Sequence, residues 1–143
     1  MSIIIAAGLL LGAAPPEAHR VAVDHRGQRV DVTYRSDLDI HHRQVGSAGA
    51  PGRPSTLRCT WKARVSVHRE ARSTAGHVLT RTIASDAPLS GTRPGWCAGQ
   101  QKSIAADVAA RSDRVRTHLL AVAEQDHDTL RAELDAAHGS ARS

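Results

Sequence analysis

The densest run of side chains able to do chemistry is Asp37-Leu38-Asp39-Ile40-His41-His42. Two carboxylates and two imidazoles are donor types that hold a divalent cation, and an open position on such a cation can activate water. On a β-strand, Asp37, Asp39 and His41 share one face because side chains alternate, and His42 points to the other. No more distant His, Asp or Glu stands out as the completing ligand. With nine His in 143 residues, one adjacent pair is unsurprising. The cluster supports one reading, a metal-dependent enzyme or metal-binding protein, beside the plainer one of a solvated polar strand.

A second constellation is a row of cations. From Arg58 to His68 every second residue is polar, and Arg58, Lys62 and Arg64 carry positive charge. Neighbours two apart on a strand stand roughly 6–7 Å from each other, a spacing that suits a polyanion. Arg29 and Arg35 could join them from a neighbouring hairpin. Nucleic acid is disfavoured as the partner, because single strands want aromatic platforms and this chain has no Phe, one Tyr and two Trp. An anionic cell-envelope component, or another envelope protein, is the expected partner. An Arg-rich coding bias, 17 Arg to 2 Lys, would leave the same row on a surface that binds nothing.

Covalent catalysis finds little footing. Gly46-Ser47-Ala48-Gly49 lacks the strained nucleophile elbow of Gly-x-Ser-x-Gly. There is no glycine-rich phosphate loop and no His-Glu-x-x-His, and no cofactor is expected. Glu is scarce, and no two glutamates look placed as an acid–base pair.

Cys59 and Cys97 are the only cysteines, outside any metal-like spacing, and an even count in a small exported protein reads as a disulfide. Export is indicated by the twelve-residue apolar run Ile3 to Ala14, closed by Pro15-Pro16. That length fits a secretory h-region and falls short of a membrane span. Gly12 and Ala14 supply the small residues of a cleavage site, although no Lys or Arg precedes the run. The segment 1–18 is therefore expected to be signal-peptide-like, and the chain periplasmic or secreted. Beyond Ala14, Val, Leu and Ile make up only about 17 % of residues, under the roughly 20 % that borders on disordered composition. So thin an aliphatic core is expected to depend on its cross-link.

These residues need elements to position them. Val21 and Val23, then Val30, Val32 and Tyr34, alternate with polar residues around His25-Arg26-Gly27-Gln28, which predicts a β-hairpin. Leu38, Ile40 and His42 read as a further short strand. Gly46 to Ser55 is Gly, Ala, Ser, Pro and Arg53, a flexible surface loop. Leu57, Cys59, Trp61, Ala63, Val65 and Val67 then alternate strictly with polar residues, predicting a strand with one dry and one wet face. Glu70 to Gly76 reads as a turn, His77 to Ala84 as the returning strand, and Pro88 to Gly95 as a rigid turn. That turn delivers Trp96 and Cys97, so that both Trp residues face the core around the disulfide.

From about Gln100 to His138 the period becomes helical: Ile104, Val108, Val115, Leu119, Val122, Leu130 and Leu134 share one face. Asp107 with Arg111, and Arg131 with Asp135, stand four apart as surface pairs. His138-Gly139 reads as the C-terminal cap, and a break near Asp126-His127-Asp128 stays open. The expected fold is α+β in a single domain over 19–139. It comprises a small antiparallel sheet of about four to five strands, one long C-terminal α-helix covering it, and one disulfide.

Val32-Thr33-Tyr34-Arg35-Ser36-Asp37-Leu38-Asp39-Ile40 resembles a short strand-and-turn motif of UrcA-type small exported proteins. The likeness covers nine residues, and the cysteine spacing and the loop at 46–55 depart from it. It implies no chemistry, and no assignment follows. The favoured expectation is a non-enzymatic interaction or scaffolding module of the bacterial cell envelope. The alternatives are the metal-dependent reading and a periplasmic inhibitor or chaperone-like module that inserts the 46–55 loop into a partner.

Overall fold

A computed structural model describes residues 18–140; all but the last residue of the expected export segment lie outside them. Four strands, β1 (Ala18–His25), β2 (Gln28–Val45), β3 (Arg58–Ser73) and β4 (Val78–Pro94), are followed by helices α1 (Gln101–Ala110), α2 (Ser112–Gln125) and α3 (His127–Ser140). The strands form one antiparallel meander in the order β1-β2-β3-β4. Helices cover one face and leave the other open, the α+β layer that strands first and helices last imply.

The first hairpin forms where its pattern places it. Arg26 and Gly27 both take positive φ, 53° and 79°, as a two-residue hairpin turn requires, and His25 pairs with Gln28 across it. The separate short strand expected at Leu38 does not exist, because β2 runs unbroken for 18 residues. Its polar inward residue, Ser36, does not stop it, since strand pairing to β3 continues on both sides.

Leu57, just ahead of β3, and every second residue after it through Ala71 are buried. The strand therefore continues through residues that read as a turn, and β4 likewise absorbs the expected turn at Pro88–Gly95. Pro is tolerated there because β4 is an edge strand, and register shifts opposite Ala63–Val65 and Val67–His68 take up extra residues as bulges. Gly91 sits directly opposite Trp61, and a Cβ on it would lie 2.7 Å from the indole ring.

In place of one long helix there are three. The interruptions fall at Arg111, whose backbone leaves helical geometry (φ −109°, ψ 26°), and at Asp126. Each break coincides with a side chain reaching toward the sheet: Arg111 lies 6.0 Å over the Trp61 ring, and Asp126 meets β3. The apolar stripe survives both breaks. Ile104, Val108, Val115, Leu119, Val122 and Leu130 are buried and Leu134 packs against them. Helix α3 runs past His138-Gly139 to Ser140, so no cap forms there. The surface pairs are also redirected: Asp107 binds Arg93 of β4, and Asp135 binds His25 and Arg26 of the hairpin. Tertiary partners replaced the local ones because charged helix residues stand at the sheet's margins.

Cys59 and Cys97 are joined by a disulfide with their Cα atoms 4.9 Å apart. Gln44 organises this corner, donating to the carbonyls of Arg58 and Gly95 and accepting the Cys97 N–H. Trp61 is core, but Trp96 is 59 % exposed. Trp96 sits in the turn after Gly95 (φ +98°), where Gln100 takes its carbonyl and the indole is left outside.

Candidate functional site

The open face of the sheet carries the residues that the sequence nominated, His42 excepted. Arg58, Lys62 and Arg64 are exposed along β3, the wet side of its alternation. Opposite them on β2 stand Val45, His41 and Asp39, with Arg43 facing Thr60. The charged ends of Arg43, Arg58, Lys62 and Arg64 make no hydrogen bond or ion pair among the described residues. The only acidic side chain on this stretch of β2, Asp39, is engaged by His41 at 2.9 Å. This end of the face is therefore a contiguous cationic surface.

The other end neutralises itself. Asp37 pairs with His68 at 2.9 Å, Arg29 with Asp31 at 3.0 Å, and Arg72 with Glu70 at 2.5 Å. The Arg72 hydrogen bond, and then its charge, hold the Glu70 carboxyl below its ordinary value. Between β2 and β4, a shallow trough of about 420 Å³ is lined by Thr33, Arg35, His68, Glu70, Thr80 and Thr82. Of the two hairpin arginines expected to join the row, Arg29 is thus consumed by Asp31, and Arg35 lies in this trough.

The carboxylate–histidine candidates separate. Asp37, Asp39 and His41 share the open face as alternation requires, but Asp37 and Asp39 turn to different histidines. His42 lies on the covered face opposite Trp61, its Nε2 buried with no partner among the described residues. No group of three or more His, Cys, Asp or Glu among the described residues is placed to hold a metal. The 46–55 loop is tied at its base: the Thr56 N–H donates to the Ser47 carbonyl at 3.0 Å, and Arg53 closes a turn on Ala50. Gly46 is pressed against Thr56, where a Cβ would meet the carbonyl oxygen at 2.1 Å.

One charged constellation was missed by sequence reasoning, and it lies under the helices. Arg69 is fully buried on β3, its Nη1 donating to both oxygens of Asp126 at 2.8 and 2.7 Å. Its Nη2 pairs with Glu133 of α3, which also accepts from Arg81 at 3.1 Å. The Tyr34 hydroxyl donates to Asp126 at 3.0 Å. Burial pushes the Tyr34 phenol well above its ordinary value, and the Asp126 hydrogen bond and charge add to it. Burial opposes the Arg69 charge, but Asp126 and Glu133 outweigh it and hold the guanidinium protonated. Two cations against two anions make a clasp between sheet and helices, buried at Arg69 and Asp126 and open to solvent at Glu133 and Arg81.

Among the described residues, no helix is long and apolar enough to cross a membrane. Comparison of the chain with family models, curated proteins and solved structures finds no match, so the functional reading rests on this geometry.

Proposed function

We propose that the chain is an exported, non-catalytic protein of the bacterial cell envelope that holds an anionic envelope surface against its open sheet face. The observation that carries this reading is the cationic end of that face. Four side chains, Arg43, Arg58, Lys62 and Arg64, are exposed and take no counter-charge from the described residues. Unpaired like charges crowded on a flat surface repel one another, and an external polyanion relieves that repulsion while releasing its own counterions. Export is supported by the apolar run Ile3 to Ala14 and by a disulfide that fits an oxidising compartment.

Retention on vesicles containing an anionic phospholipid, compared with neutral vesicles at low and high salt, tests the proposal. The wild type is expected to bind the anionic vesicles and to be released by salt, since surface charges are screened beyond about 8–10 Å at physiological ionic strength. Arg58→Glu/Lys62→Glu/Arg64→Glu is expected to abolish that retention without unfolding, because all three are exposed. Equal retention by the triple variant overturns the reading.

A further inference from the structure

We propose that β1 is a self-complementary edge through which two copies of this chain join, pairing β1 to β1 antiparallel about Ala22. In that register Arg20 of each copy stands opposite the partner's Asp24.

The argument starts from the hairpin. Residues flanking a two-residue turn exchange both of their backbone hydrogen bonds, so His25 bonds to Gln28, and the odd-numbered residues of β1 bond inward to β2. The N–H and C=O groups of Ala18, Arg20, Ala22 and Asp24 therefore point away from the sheet. Because β1 ends the strand order, no strand among the described residues receives them. Such an edge is a template for another strand unless something blocks it.

Charge is the usual block, and β1 does carry charge on its edge. Here the two charges have opposite sign and lie four residues apart, symmetric about Ala22. A second β1 running antiparallel about Ala22 sets Arg20 against the partner's Asp24 at both ends of the seam, on the open face of the sheet. Among the described residues, Arg20 makes no ion pair or hydrogen bond, and Asp24 is bound by the Gly27 N–H alone. The same register puts Val21 against the partner's Val23 on the helix side. Sliding it by two positions sets Arg20 against Ala22 and Asp24 against Ala18, and both ion pairs are lost.

The apolar side of the seam agrees. A groove of about 460 Å³ runs beside β1, lined in part by Val21, Val23, Leu120 and Ala123. Val21 and Leu120 are 37 % and 38 % exposed, unusual for large aliphatic residues in a chain this poor in them. Pairing the edges brings both Val21 side chains, and Leu120 of each helix layer, to one seam. The two-fold axis stands normal to the sheet, so both open faces end on the same side and both cationic rows address one surface.

Sedimentation velocity of the disulfide-bonded protein tests the proposal. The wild type is expected to be a dimer. Arg20→Asp places like charges opposite each other at both ends and is expected to weaken association roughly 10- to 100-fold. Arg20→Asp/Asp24→Arg restores opposite charges and is expected to restore the dimer. Mixing Arg20→Asp with Asp24→Arg is expected to give a mixed dimer that neither forms alone. Should the Asp24 change disturb the turn, Ala22→Cys supplies an independent reading, because residue 22 faces itself across the axis and is expected to form an intermolecular disulfide. A monomeric wild type, or a dimer that Arg20→Asp leaves intact and Ala22→Cys fails to cross-link, overturns the proposal.

Discussion

Arg69 shows how much one side chain can decide in a core of this composition. It is fully buried on the central strand β3, with Asp126, Glu133 and Tyr34 closed around it. Removing one member of a buried ion pair leaves the other charge uncompensated, at a cost of about 3–5 kcal/mol. Set against a total of about 5–15 kcal/mol for a small domain, that is a large share. Arg69→Met is expected to lower the urea midpoint by a corresponding amount, whereas Arg72→Met, three positions on and exposed, is expected to leave it nearly unchanged. The sequence carried a faint sign of this residue: Arg69 keeps the odd parity of the dry face, and Ala71 follows it. A charge at that position nevertheless reads as the start of a turn, because nothing local announces a carboxylate on a helix 57 residues later.

At the scale of elements, what was legible was period. The twelve residues of alternation from Leu57 to His68 set out the dry and wet faces of β3, and the helical stripe set out the buried residues of α1 to α3. Element ends and partners were not legible. Pro88 and Gly91 punctuate a sequence, yet neither ends β4: Pro88 falls in a bulge beyond which pairing resumes at Asp86, and Gly91 is there because the Trp61 ring occupies the space a side chain would need. Gly91→Ala forces the indole or the strand to move, and overpacking of this kind costs about 1–3 kcal/mol. Its expected signature is a lower unfolding midpoint together with an altered near-ultraviolet Trp signal, while secondary structure content stays the same. The cationic row was readable from spacing alone. Which of its members stay unpaired was not, because Arg29 and His68 find their carboxylates across or along strands whose register the sequence does not state.

For the whole molecule, the cross-link between Cys59 and Cys97 ties the central sheet to the approach of the helical layer. Closing a loop of 38 residues stabilises the fold by about 4 kcal/mol on a chain-entropy basis. Cys59→Ser/Cys97→Ser is expected to lose about that amount, measurable by urea denaturation beside the oxidised protein. A double variant as stable as the oxidised protein would show that the aliphatic core suffices by itself. The location of the bridge matters as well as its strength. It fastens the open mouth of the β3–β4 ribbon, whose far end is the bend between Ser73 and Val78, so that backbone and sulfur enclose a covalent ring. A protease that nicks the chain at that bend opens the ring but releases no fragment. Both strands stay attached until a thiol reagent parts the sulfurs, and only then does a gel show two bands.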